Sequence, residues 1–593
     1  MSDRSHAEYL RAARDLERSG EPSASRLAIL SSFTAELLRP ALVVESSDIG
    51  HRIQPWFAPF GQLEQAMLEP ESELWRQRPD VIWLALRLED VDRHLQLESP
   101  ELGADTTRER LRALVARAVQ LARAVRQRSE APLLVSNLAA SSLHALPLFD
   151  AGDPDGFGHL LAEANRDLAC KLGGVADAHV LDYQGTVAAS GGARWADPKL
   201  WFMARAGSSG PNQAVLARRV ARAVAAMRRP AAKCLVVDLD HTLWGGVLGD
   251  DGLEALQLGD DYPGNAYKEL QAALLGLRRR GFLLAIASKN DEATVDDALA
   301  RHPEMLLRRE HFACIFANWD PKPVNLRRIA STLNLGLNAL VFIDDNPAER
   351  AQVRAELPMV HVVELPADPL HYAGAVQDWH WLDQARLLDE DRGRAEMVSH
   401  DHRREQLRGG AASVDEFLGQ LGMVAEVGTA GLGTLERIHQ LIHKTNQFNL
   451  TARRHPLERV RALAAAPDAA VAWLRLRDRY GDLGLVCVGI VHAAQGTTWE
   501  IDTLLMSCRV MGRRVETAFL AYLAELARGA GADRLRGVYG ATAKNVVVRD
   551  FYPSHGFAPI VGGSDGERWF ELAVADAPAW PVLIQKPDAK QGE

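Results

Sequence analysis

Asp238 and Asp240 stand two residues apart in VVDLDHTLWGG, at the end of an apolar run. In extended backbone, alternate side chains point to the same side, so both carboxylates can face one reacting group. One can attack a phosphate ester while the other moves protons. A phosphate and two carboxylates repel each other unless a cation intervenes, and Mg²⁺ prefers oxygen ligands while keeping some of its water. Asp344 and Asp345, in FIDDNPAER, bring further carboxylate after a second apolar run. Ser288, in ASKND, offers a hydroxyl to a phosphate oxygen, and Lys322, in DPKPVNL, offers an ammonium that offsets charge on the transferring group. Aspartate is also a common turn and cap residue. That alternative accounts for Asp238 and Asp240 alone and leaves the other three elements as coincidence.

These four elements, each after an apolar run, resemble the D-x-D-x-T, S, K and DD signature of the haloacid dehalogenase (HAD) superfamily of phosphatases and phosphotransferases. The resemblance implies that Asp238 forms an aspartyl-phosphate and that Asp240 is its acid/base partner. It implies Mg²⁺ held at Asp238, the backbone carbonyl of Asp240 and the side chain of Asp344, with Asp345 assisting. Thr242, Ser288 and Lys322 are then the phosphate-binding residues.

A second chemistry is suggested downstream. Cys508 follows the run WEIDTLLMS and precedes a helix expected from about Gly512, with Arg509, Arg513 and Arg514 beside it. Positive neighbours and a helix N-terminus favour the nucleophilic thiolate; a buried, inert cysteine is the alternative. His439 and His443 are four apart, as a zinc pair on a helix would be, but HQLIH lacks the glutamate of the zinc-protease motif and an evident third ligand.

From about Ala231 onward, DLDHTLWGGVLGDDG, ASKND, KTNQFNLT, IDTLLMSCRVMGR and KNVVVRDFYPSHGF resemble the FkbH-like family of polyketide pathways. In that family a HAD domain is fused to an acetyltransferase-like (GNAT-like) domain, and a glyceryl unit from 1,3-bisphosphoglycerate is loaded onto acyl carrier protein. The resemblance implies that Cys508 displaces phosphate from C1 and holds a phosphoglyceryl thioester. Asp238 then removes the C3 phosphate, and the phosphopantetheine thiol of the carrier takes the acyl group. Lys444, Asn446, Asn449, Arg509 and Arg513 become candidate substrate contacts, although the basic ones read equally as solvated side chains. His443 or Asp502 is a candidate to orient the thiol. His241 stands where the family commonly has Asn. RVMGRR is similar to the pyrophosphate loop of acetyl-CoA enzymes, but Arg514 occupies a position where that loop prefers a small residue. The alternative is a Mg²⁺-dependent small-molecule phosphatase without acyl transfer.

These residues need strand ends to carry them. Alternation of apolar runs with amphipathic helices predicts an α/β chain with a mostly parallel, Rossmannoid HAD-like sheet over residues 231–385, where polar clusters after each strand share one rim. Residues 1–230 read as a preceding α/β domain ending in a helix at about Ala214–Arg229, stopped by Pro230. Ser31, Ser32 and Asn137 make it similar to an SGNH hydrolase core, but Asp197 in DPKLW lacks the expected histidine. A non-catalytic or carrier-docking role follows, since a triad needs its base. Residues 386–593 read as connecting helices and a GNAT-like α+β domain, with strands near 471–476, 485–492 and 499–504 and a helix over 512–528.

At 593 residues the chain is long enough for several cores, and 47% apolar with 25% charged residues is a globular balance. A formal charge of −10 argues against non-specific nucleic-acid binding. Five cysteines form no CxxC pair, which fits a reducing compartment. The polar N-terminus and the lack of a long apolar run predict a cytoplasmic protein that neither enters nor spans a membrane.

Overall fold

The structure, a computed structural model, describes residues 4–20, 22–92, 94–140, 147–386, 404, 407–431, 433–445, 447–542, 544–561 and 567–586. The chain divides into two compact units, Met1–Arg392 and Gly393–Glu593.

The first unit contains two parallel sheets. One runs β2-β1-β3-β4-β5, from β1 (Ser25–Ser31), β2 (Ile53–Phe57), β3 (Val81–Ala85), β4 (Leu133–Ser136) and β5 (Ala178–Leu181). The other runs β10-β9-β6-β7-β8, from β6 (Cys234–Val237), β7 (Leu283–Ser288), β8 (Phe312–Ala317), β9 (Leu340–Ile343) and β10 (His361–Val362). The central strands CLVV, LLAIAS and LVFI are buried throughout, as expected of strands covered by helices on both faces. Helices Gly264–Arg279 and Lys322–Thr332 contribute Leu270, Leu274 and Leu326 to that burial.

Helix Gly210–Arg228 starts four residues earlier than the spacing predicts, because Ser209 turns the chain in extended geometry and Pro211 suits a first turn. Its Arg222 makes a two-bond contact with Asp383, at 2.7 and 2.9 Å, and also pairs with Asp378. Residues 1–230 and the end of the second sheet's layer are thereby fastened within one unit. A long helix, Leu95–Arg126, breaks at Gly103, where φ is +73°.

The second unit is built on an eight-stranded mixed sheet in the order β16-β17-β15-β14-β13-β12-β11-β18. Its strands are β11 (Met423–Thr429), β12 (Ala469–Asp478), β13 (Gly481–Ala493), β14 (Thr498–Met506), β15 (Arg534–Gly540), β16 (Ala558–Ile560), β17 (Glu567–Ala573) and β18 (Ile584–Gln585). Only β14–β15 and β11–β18 pair in parallel. The ladder of β14 with β15 stops at Ile501–Gly537, although both strands continue. Residues 448–451 fill the fork: Met506 N donates to Phe448 O, Leu450 N to Leu504 O and Gly540 N to Leu450 O.

The helix expected at Gly512 instead begins at Val515. Gly512 and Arg514 both take positive φ, +73° and +60°, and this turn delays it. The connecting helices expected from residue 386 fall largely outside the described residues. Among the described residues no helix is long and apolar enough to cross a membrane.

Candidate active site

The rim at the ends of β6, β7 and β9 gathers the predicted residues. Asp238 follows β6 directly, and its backbone N–H donates to Ile343 O at the end of β9, which registers the two strand ends against each other. Its Oδ1 accepts from Lys322 Nζ at 2.5 Å, and its Oδ2 makes no hydrogen bond among the described residues. Lys322, the first residue of its helix, is only 2% exposed. Its ammonium reaches three oxygens, those of Asp238, Ala287 O at 2.7 Å and Asp344 Oδ2 at 3.2 Å. Burial pulls the Lys322 pKa down, but the two carboxylates outweigh it and hold the group above its ordinary value.

Asp344 is fully buried. Burial, then the charge of Asp238, pushes its carboxyl up to about 7 against the opposing pull of Lys322 and of the Asn346 N–H. Asp345 is also raised, by burial first, while its hydrogen bond with Thr242 acts the other way. Carboxylate oxygens of Asp238, Asp344 and Asp345 lie within 4.8 Å of one another. Asp344 Oδ2 has the Lys322 ammonium as its neighbour at 3.2 Å. Three carboxylates crowded this closely, with a single ammonium between two of them, form a donor set that fits a hard divalent cation such as Mg²⁺.

Asp240 stands apart from that cluster. Its carboxylate accepts from Trp244 Nε1 at 2.9 Å, Leu248 N at 3.0 Å and Asn290 Nδ2 at 2.8 Å. Asn290 also donates to Ser288 Oγ at 3.2 Å and so joins the acid/base candidate to the end of β7. Trp244 and Asn290 are buried and were not singled out from sequence; the ASKND motif already contained Asn290. Ser288 is 2% exposed at the strand end.

Thr242 turns to Asp345: its hydroxyl donates to Asp345 Oδ1 at 3.0 Å and accepts from Asp345 N at 3.1 Å. A hydroxyl has one proton to give, and here that proton pins Asp345 to the Asp238 loop. His241 is exposed with φ of +55°, a conformation that Asn and His tolerate better than most side chains.

In the second unit, Cys508 is exposed and opens a single 3₁₀ turn, Cys508–Val510, seven residues before the helix at Val515. It therefore does not sit at that helix's N-terminus. Arg509 donates to Ser507 Oγ at 3.2 Å. Arg513 lies 3.4 Å from Asp478, which is fully buried and also paired with Arg404, and Arg514 pairs with Asp415. These partners hold Arg513 and Arg514 in the framework of the second unit.

Asn449 is a structural residue rather than a substrate contact. It is fully buried, its amide donates to Thr445 O and accepts from Ala452 N, and its carbonyl accepts from Asn545 Nδ2 at 2.8 Å. The side chain of Lys444, and Asn446 as a whole, lie outside the described residues.

Asp502 is taken by Arg453, by His455 Nε2 at 2.7 Å and by Thr503 Oγ1 at 2.8 Å. Burial acts to raise its pKa, but these hydrogen bonds prevail and hold it well below the usual carboxylate range. Among the described residues Asp502 thus holds His455. His443 Nε2 meets the carbonyl of His455 at 3.2 Å.

The serines of the first sheet have local partners. Ser31 donates to Phe33 O, Ser32 donates to Asp90 at 2.9 Å, and Asn137 donates to Asp182 at 3.0 Å. Asp197 caps the helix at Pro198.

No family model and no curated protein matches the sequence. Among solved structures, the chain is similar to the N-terminal part of the protein BF1531 from Bacteroides fragilis, which contains a phosphatase domain complexed with Mg. Identity is 27% and the TM-score 0.55, over 65% of this chain and 100% of the other. Slighter overlaps, each over 26% of this chain and 99% of the other, join it to a domain from Methanocaldococcus jannaschii (15% identity, TM-score 0.22) and to a putative acetyltransferase of the GNAT family from Desulfovibrio desulfuricans (13%, 0.21). Scores that low fix no fold.

Proposed function

We propose that the first unit is a Mg²⁺-dependent phosphatase in which Asp238 is the nucleophile, and that the chain as a whole uses it to trim a glyceryl unit during loading onto an acyl carrier protein. The observation that carries the phosphatase reading is the Asp238–Lys322–Asp344 arrangement, in which one buried ammonium bridges two carboxylates and leaves Asp238 Oδ2 without a hydrogen bond among the described residues. BF1531, crystallised with Mg, supports the same reading.

Asp238, Asp344 and Asp345 would hold the cation, which when bound offsets the charge of the phosphate and of the carboxylates that surround it. Asp238 Oδ2 attacks phosphorus and the ester oxygen leaves, giving an aspartyl-phosphate. Asp240, fixed by three donors, gives a proton to the leaving oxygen and later accepts one from the water that hydrolyses the acyl phosphate. Lys322 and Ser288 stand at the same rim to balance charge on the transferring group.

The glyceryl-transfer reading rests on the FkbH-like motifs and on the exposed Cys508. There the thiolate attacks C1 of 1,3-bisphosphoglycerate, phosphate leaves and a thioester forms. Asp238 removes the C3 phosphate, and the carrier's phosphopantetheine thiol displaces Cys508. Intact-mass spectrometry of carrier protein incubated with enzyme, Mg²⁺ and 1,3-bisphosphoglycerate tests it. A glyceryl adduct that disappears with Cys508→Ala is expected. Phosphate release with no adduct would sink the transfer and leave the phosphatase standing.

A further inference from the structure

Helix Gly210–Arg228, β5 and residues 383–385 enclose a cleft of about 390 Å³ inside the first unit. Ala223, Ala226 and Met227, three and four residues apart on the helix, give it an apolar floor together with Leu134 and Val180. Two guanidiniums line it from different layers, Arg219 on the helix and Arg280 just before β7. Neither has a carboxylate partner among the described residues; Arg280 touches only the carbonyl of Leu382 and the ring of Phe282.

The acids of the lining are already engaged. Asp383 is bound at both oxygens by Arg222, and Asp182 accepts from Asn137 and from Gly185 N. Because the donors to Asp182 are neutral, the lining carries three guanidiniums, Arg219, Arg222 and Arg280, against two carboxylates, Asp182 and Asp383.

A cavity of this size between two layers, apolar below and cationic at its walls, suits a small organic anion. Two guanidiniums match a dianion better than a single carboxylate. We propose that the cleft binds a planar phosphate monoester, its phosphate taken by Arg219 and Arg280 and its ring laid on Ala223, Ala226 and Met227. The ligand acts as an effector and not as a substrate, since Arg280 precedes β7 and Ser288 ends it, ~17 Å along the strand.

The test uses the full chain in EDTA, where the Asp238 cluster repels phosphate for want of a cation. Equilibrium dialysis compares adenosine 5′-monophosphate with adenosine, which lacks the phosphate, and with inorganic phosphate, which lacks the ring. The monophosphate is expected to bind at least about ten-fold more tightly than either. Arg219→Ala/Arg280→Ala should remove that advantage and leave Mg²⁺-dependent phosphatase turnover unchanged; both side chains are exposed, so folding is spared. Equal binding of adenosine and its monophosphate, binding retained in the double variant, or no binding at millimolar concentration would each overturn the proposal.

Discussion

The ammonium of Lys322 lies 2.5 Å from Oδ1 of Asp238 in a pocket that leaves the lysine 2% exposed. A buried cation this close orients the carboxylate and leaves its second oxygen to attack. Lys322→Met should therefore cost more than one phosphate contact: about 10²–10³-fold in kcat, with a smaller change in KM. An effect confined to KM would reduce Lys322 to substrate binding.

Asp238→Asn removes the nucleophile and should lower phosphatase turnover by at least ~10³-fold. Mass spectrometry under acid quench should detect a phosphoryl adduct on the wild-type protein alone. An adduct that persists in the variant would place the nucleophile elsewhere.

The raised carboxyl of Asp344 predicts a pH-dependent response to Mg²⁺. Its folded pKa, about 7, lies above the unfolded value of ~3.9. Without metal, its contribution to stability is full below the unfolded value and is lost as pH rises through about 7. The rise in melting temperature on adding Mg²⁺ should therefore grow between pH 5 and pH 8. Asp344→Asn should flatten that trend and stabilise the metal-free protein while abolishing turnover. A metal-induced shift independent of pH would contradict this account.

In the second unit the sign reverses. Asp502 is held below its unfolded value, so its stabilisation is present above pH ~3.9 and is lost as pH falls toward the folded value. Asp502→Ala takes the carboxylate from His455 and one of two from Arg453, which keeps Glu567, and denaturant unfolding should record a loss of about 2 kcal/mol at pH 7. No loss would mean that solvent replaces those hydrogen bonds.

Cysteine chemistry separates Cys508 from the framework thiols. Cys170 and Cys508 are exposed, while Cys234, Cys314 and Cys487 are buried, and burial raises the pKa of all three buried thiols. Iodoacetamide at neutral pH should label the exposed pair, as peptide mapping would reveal, and Cys508→Ser should leave turnover of a simple phosphate ester unchanged.

Much of the phosphatase rim is legible in sequence because Asp238, Ser288 and Asp344 stand at or just beyond the ends of short apolar runs, and a parallel sheet brings such strand ends together. The tie from Thr242 to Asp345 is not legible there, because a motif position does not say where a hydroxyl spends its one proton. Asn449 misleads for a related reason: polar residues inside apolar text suggest ligand contacts, yet here they satisfy a buried turn. The late strands β15–β18, and the segment at 448–451 that fills the fork, depend on pairings between distant parts of the chain. No local period encodes those.

That fork bears on the order in which the protein can assemble. Residues 448–451 must lie between β14 and Gly540, which are made more than fifty and about ninety residues later. The strands of the first unit all precede Val363, so its sheets can close while the remainder is still being synthesised. The second unit must keep Phe448 and Leu450 unshielded until translation has passed Gly540. Its early half is thus the stretch of the nascent chain most exposed to aggregation and most dependent on chaperone protection.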